Sequence, residues 1–223
     1  AGAGERVREA IASREQDADA AAKENLDRAL GAAHAHCPQE LLTALLVAEQ
    51  TFQRALLTDL PAGSVALLFS GALERALFIL YVKRFDAWLG RTGRRQEFLD
   101  GAVRERRGQR VEYFDHFVEA FDSAHAGRAP SLGEVGRVLE RRAEAYLAPL
   151  RDFLASSYAL EDARYDQVAA FVRWSKETLR DPVAHGRFIE LGYPELRRFR
   201  EQLLFSFDGG GVGLLAQMLE PRR

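Results

Sequence analysis

Apolar positions along this chain recur at three- and four-residue spacing almost throughout, and the alternating runs that strands need are absent. Residues 5–35 are rich in alanine and charge. Within them Val7 and Ile11, then Leu26 and Leu30, repeat at i,i+4 and predict a helix with a thin apolar stripe, partly exposed or packed on a partner. Pro38 ends it, because the residue before a proline is pushed out of helical conformation. A strongly apolar helix follows over 39–60, built on Leu41, Leu45, Phe52 and Leu56. After the break "DLPAGS", residues 65–89 are apolar on nearly all sides and predict the central core helix. Glu74 and Arg75 interrupt it, and a carboxylate in so apolar a helix has to face solvent, pair or line a site.

The second half continues the pattern. An arginine-rich run at 91–110 precedes an amphipathic helix at 111–127. Ser131 followed by Glu134 is a capping box, in which each side chain satisfies an orphan backbone N–H, and it opens a helix that runs to about residue 157. Further helices are predicted at 161–180 and at 192–207, the last begun near Pro194. "DGGGVG" at 208–213 reads as a flexible joint, and the tail beyond it docks on the body or binds elsewhere. The expectation is an all-α bundle with three parts: a charged N-terminal helical extension (1–38), a helical domain (39–207) and a Gly-rich joint with a C-terminal tail (208–223).

Composition narrows the classes. With 47% hydrophobic and 29% charged residues, the chain has enough apolar material for a folded domain. A net charge of -2 argues against a protein that coats nucleic acid through its overall charge, and leaves room for a local basic patch. The single cysteine, Cys37, makes no internal disulfide and fits a reducing compartment. No uninterrupted apolar run reaches the ~20 residues that span a bilayer. No signal peptide is recognised either, so the expectation is a cytoplasmic protein without a membrane partner. The absence of an initiator Met leads us to expect a piece of a longer chain.

Candidate chemistry is sparse. His34, His36 and Cys37 stand together, but no other His/Cys cluster exists to complete a zinc site, and they read as a solvated helix end. No metal or cofactor is expected. "DGGGVG" lacks the Lys-Ser/Thr of a phosphate loop. The arginine run, followed by Tyr113 and Phe114, suits RNA, an acidic partner or a solvated loop.

"ETLRDPVAHGRF" holds the remaining candidates. Asp181 is a favoured N-cap and Pro182 suits a first helical position, so a new helix or a kinked continuation is predicted there, with His185 one turn inside. On a straight helix five residues place Arg180 and His185 roughly 140° apart. A kink would let them converge at a helix N-terminus, which attracts anions. There the imidazole is suited to take a proton from a ribose 2′-OH and the guanidinium to stabilise the charge that builds on phosphorus.

The segment "RDPVAHGRF" resembles the R-x4–6-H signature of the HEPN superfamily, all-α domains of bacterial toxins, CRISPR-linked ribonucleases and other defence proteins. "LPAGSVALLFSGALERALF", with Ala72, Leu73 and Glu74, is similar to a long core helix of one HEPN group, and "SLGEVGRVL" to a helix start found between the two. The likeness covers about residues 40–205. It implies a HEPN-like helical bundle that pairs as a homodimer, with two Arg/His sets meeting at one cleft. It also implies a metal-independent endoribonuclease acting on RNA, in antiviral defence, a toxin–antitoxin system or a stress response. Arg180 would be the phosphate stabiliser, His185 the base or acid, and Glu74 an auxiliary polar residue near the cleft. Asp181 stands where the signature often has Asn, and Arg187 where some toxins carry a modifiable Tyr. The rival expectation is a non-catalytic dimerisation or partner-binding module, its protein partner held through the N-terminal helix or the C-terminal tail.

Overall fold

The computed structural model describes residues 2–58, 60–106, 117–118, 120–121, 130–186 and 191–222. The fold is all-α. Among the described residues the only strand-like pairing is an isolated antiparallel bridge between Tyr158 and Pro221. In chain order the helices are α1 (Ala3–Leu30), α2 (Gln39–Ala55), α3 (Ala62–Leu77), α4 (Arg84–Thr92), α5 (Arg95–Arg106), α6 (Leu132–Glu140), α7 (Ala148–Ser157), α8 (Asp162–Ser175), α9 (Asp181–Ala184), α10 (Tyr193–Leu204) and α11 (Leu214–Leu219). Two π-helical turns, Phe78–Lys83 and Lys176–Arg180, join α3 to α4 and α8 to α9 without a break. The chain divides into two compact units, each assembled from two stretches: Ala1–Ala72 with Thr178–Ala216, and Leu73–Glu177 with Gln217–Arg223.

In the first unit α1 lies along α2. Ala18, Ala22 and Ala29 keep the contact face of α1 flat, and Leu26 and Leu30 are buried beside them, whereas Ile11 toward the free end is exposed. The C-terminal half of the predicted extension is thus packed into this unit, because alanines let two helices approach closely. Phe69 forms the centre, edge-on to Phe52 and to Phe199 with ring centroids 6.3 Å apart in both cases. One polar group is sealed into this core. The Glu49 carboxylate is fully buried and accepts hydrogen bonds from Asn25 (2.9 Å), Gln53 (2.8 Å) and the Arg200 Nε (2.7 Å). The Arg200 guanidinium in turn lies over the Phe52 and Phe205 rings at 4.6 and 4.7 Å, so its apolar faces are covered while its edge is neutralised.

The second unit is organised by aromatic rings. Phe85 has Phe98, Phe121 and Phe153 around it at 5.1–5.2 Å between centroids. A second group joins Tyr81 to Tyr158 (5.5 Å) and Tyr165 (6.2 Å). Burial pushes the Tyr158 phenol up to about 12, and burial raises Tyr81 and Tyr165 as well, so all three phenols stay neutral at ordinary pH. Tyr158 donates to the Leu80 carbonyl at 2.5 Å. Arg142 is turned inward at the end of α6, where Asp162 and Asp166 hold it at 2.8 and 2.6 Å. The Asp166 carboxyl is lowered by that hydrogen bond. The end of the chain docks here: Met218 and Leu219 are buried, and the Arg222 backbone N–H donates to the Ser157 carbonyl.

Two helices end earlier than the sequence expectation. α2 stops at Ala55, and Leu56 and Leu57 lie exposed in a turn with no core face to prolong the helix. The helix capped by Ser131 and Glu134 ends at Glu140 rather than near 157. Pro149 is the reason for the restart: it lacks the N–H that a helix interior requires and sits at the start of α7, where none is needed. The predicted helix at 111–127 lies outside the described residues, apart from Phe117, Val118, Ala120 and Phe121. Among the described residues one helical run, Ala62–Thr92, is long and apolar enough to cross a membrane, but 67% of its most apolar window is buried against protein.

Two measurements check this packing. A Cβ at Gly213 would be driven into the Leu204 backbone carbonyl, whereas one at Gly71 would meet nothing. Urea denaturation should show Gly213→Ala losing about 1–3 kcal/mol, and Gly71→Ala unchanged or gaining about 0.5–1 kcal/mol from helix propensity. Arg200→Met leaves the Glu49 charge buried without its cation and should cost about 3–5 kcal/mol. Adding Glu49→Gln to the same chain should recover most of that loss; a double variant no more stable than Arg200→Met would remove charge burial as the cause.

Candidate functional site

The Arg180–His185 segment is shaped by what Pro182 forbids. A proline has no N–H to give the carbonyl four residues back, here Thr178, and its ring crowds that carbonyl. α8 meets this constraint by widening into the π-helical turn Lys176–Arg180. Just before it, the buried Ser175 hydroxyl donates to the Phe171 carbonyl at 2.7 Å, a back-bond of the kind that bends helices. Leu179 and Val183, four residues apart, are both buried and pin the segment to its own unit. Arg180 and Asp181 are left half-buried and His185 exposed.

The backbone stays helical through the junction, with Arg180 at φ −73° and ψ −52°. The expected fresh helix N-terminus is therefore not formed. His185 is instead the C-cap of α9: its N–H donates to the Asp181 carbonyl at 3.0 Å, and Gly186 turns the chain away at φ +81°. A helix end of this kind presents carbonyls, so an anion here has to be held by side chains rather than by backbone N–H groups. Arg180 is the cation in place, with its guanidinium 3.7 Å from the Asp181 carboxylate. Asp181 and His185 are one helical turn apart on one face, while Arg180, adjacent to Asp181, lies roughly 140° round from His185 on this helical path. Among the described residues nothing hydrogen-bonds the His185 ring. Glu74 belongs to the second unit, on α3, with one carboxylate oxygen buried.

The other sequence candidates have structural partners or no cluster. His34 lies 3.8 Å from Asp27 in the turn after α1, and no group of three or more potential metal ligands forms among the described residues. Arg94 is held by Glu97 and Asp152, each at 2.7 Å, and Arg95 by Asp86 at 2.6 Å. Tyr113 and Phe114 lie outside the described residues.

Two clefts in the second unit had no sequence expectation attached to them. One, of about 470 Å³, lies beside Tyr158 and Tyr165, with Arg151 and Arg222 at its edge. The other, of about 430 Å³, runs between α6 and α8. Its floor is thin because Gly133 and Gly136 bring the helices together: a Cβ on either would stand 3.0 Å from Lys176 or Val172. Two glycines on one face of a nine-residue helix each cost about 1 kcal/mol of helix propensity. That cost was the signal in the sequence that something passes close by. Compared with known proteins, the chain matches no family model, no curated protein and no solved structure.

Proposed function

We propose that the chain is a HEPN-type, metal-independent endoribonuclease that acts as a homodimer in the cytoplasm, in a defence or stress response. What supports this reading is that a half-buried Arg180 and an exposed His185 stand within one short helical segment anchored by the buried Leu179 and Val183. The His185 imidazole takes the proton from a ribose 2′-OH, and the 2′-oxygen attacks the adjacent phosphorus. Arg180 stabilises the negative charge that gathers on the phosphoryl oxygens. The bond to the 5′-oxygen breaks and that oxygen takes up a proton from an imidazolium, leaving a 2′,3′-cyclic phosphate and a free 5′-OH. Asp181 holds Arg180 between turnovers and competes with the phosphate for it.

A second reading is a non-catalytic binding module. What favours it is the set of exposed leucines in the first unit, Leu56, Leu57, Leu60, Leu67 and Leu68. Such a protein would hold a partner without cutting RNA.

Cleavage of single-stranded RNA, followed by detection of cyclic phosphate ends, separates the two. Arg180→Ala and His185→Ala should each slow cutting by roughly 100-fold or more, with the thermal midpoint preserved. Asp181→Asn should retain activity, since it removes the competing carboxylate. Undiminished cutting by both alanine variants, or a requirement for divalent metal, would sink the proposal.

A further inference from the structure

We infer that the cleft beside Tyr158 and Tyr165 is a binding site for a small zwitterion, a free α-amino acid with an apolar side chain, a role separate from the proposed RNA cleavage. The cleft belongs wholly to the second unit, and at about 470 Å³ it falls within the ~300–1,000 Å³ of ordinary ligand sites. One wall brings Arg151 from α7 and Arg222 from the end of the chain. The other brings Glu161 and Asp162 from the start of α8. The buried Leu154 and the half-buried Leu160 supply apolar lining.

Three of these four charges lack a counter-charge. Arg151 donates to the Ala143 carbonyl at 3.5 Å, and Arg222 donates to the Ala155 carbonyl. A carbonyl orients a guanidinium but carries no charge to cancel it. Glu161 stands at the N-cap of α8 without a side-chain hydrogen bond to the helix. Among the described residues no ion pair joins either arginine or Glu161 to another side chain. Asp162 differs: Arg142 holds it at 2.8 Å, and Asp166 holds the same guanidinium at 2.6 Å. The carboxylates Glu161, Asp162 and Asp166 thus balance Arg142, Arg151 and Arg222, and both signs are present without an excess of either.

That balance selects the charge of the ligand. A simple anion is attracted by the two guanidiniums and repelled by Glu161, and a simple cation meets the reverse. A molecule carrying both a carboxylate and an ammonium offers each wall its opposite charge. The guanidinium fork suits a carboxylate, to which it gives parallel N–H bonds. Glu161 accepts from the ammonium. The Tyr165 hydroxyl is buried without a partner among the described residues, so this wall holds hydrogen-bonding capacity that the protein itself leaves unused. Leu154 and Leu160 favour an apolar side chain on the ligand. Because Arg151, Arg222 and Glu161 are exposed, water weakens each contact and the affinity falls in the millimolar range.

The test titrates the whole isotope-labelled chain with leucine and follows its amide NMR spectrum. Leucine should shift the amides of Ala155 and Ala159, which line the cleft, with a Kd of about 1–10 mM. Isocaproate, which lacks the ammonium, and leucinamide, which lacks the carboxylate, should each bind about fivefold more weakly. Glu161→Gln should weaken leucine by about fivefold and leave isocaproate unchanged or tighter. Arg151→Gln should weaken leucine and isocaproate alike and leave leucinamide no weaker. Both side chains are exposed, so the thermal midpoints should stay within about 2 °C of wild type. No amide shift at about 20 mM leucine would overturn the inference. So would equal binding of isocaproate or leucinamide, tighter binding of O-phosphoethanolamine, or unchanged leucine affinity in both variants.

Discussion

A carboxylate shut away from water has to be neutralised on the spot, and the first unit is arranged around that demand. Glu49 on α2 draws Asn25 from α1, Gln53 from its own helix and Arg200 from α10. Apolar packing alone would let these helices slide by a turn with modest loss. A buried charge with directional donors does not, because a shifted register leaves it unpaired at a cost of several kcal/mol. Arg200 serves two purposes here, closing the charge with its edge and covering Phe52 and Phe205 with its faces. The position of α10, and of the rings that meet Phe69, follows from one ion pair.

Pro182 imposes a comparable constraint on the candidate site. The missing N–H is accommodated by widening the helix rather than by ending it, and the widened turn is where Arg180 sits. π-turns are rare because their backbone geometry is poor, and they persist where a sequence pins both sides. Here Leu179 and Val183 do the pinning. The polar residues are therefore presented from a stiff segment, although His185 itself stands at the segment's end, next to a glycine turn.

Much of the fold was legible because its signals are local. The capping box at Ser131 and Glu134 forms both of its hydrogen bonds, and the breaks at Pro38 and Pro61 fall where the backbone forbids continuation. The π-turns were not legible, since one extra residue per turn leaves an apolar helix looking apolar in the same places. The split between Glu140 and Ala148 was signalled by Pro149 but outweighed by continuous amphipathic spacing. At the site, residue types were readable and geometry was not. Asp181-Pro182 reads as a helix start, while the chain passes through it as helix and ends at His185. The Glu49–Arg200 pair and the glycine-lined cleft depend on contacts between distant stretches, which periodicity does not encode.

The division of each unit into two stretches bears on how the protein comes into being. Glu49 and Arg200 are 151 residues apart. At ribosomal speeds of ~5–20 residues per second, the carboxylate emerges roughly 8–30 s before its cation. Until then α2 cannot seal its inner face without stranding a charge, so the first unit has to stay open and hydrated while the whole of Leu73–Glu177 is made. Arg180 and His185 appear in the same late interval. Through that interval the apolar faces of its early helices stay exposed to water, and association with other chains competes with folding.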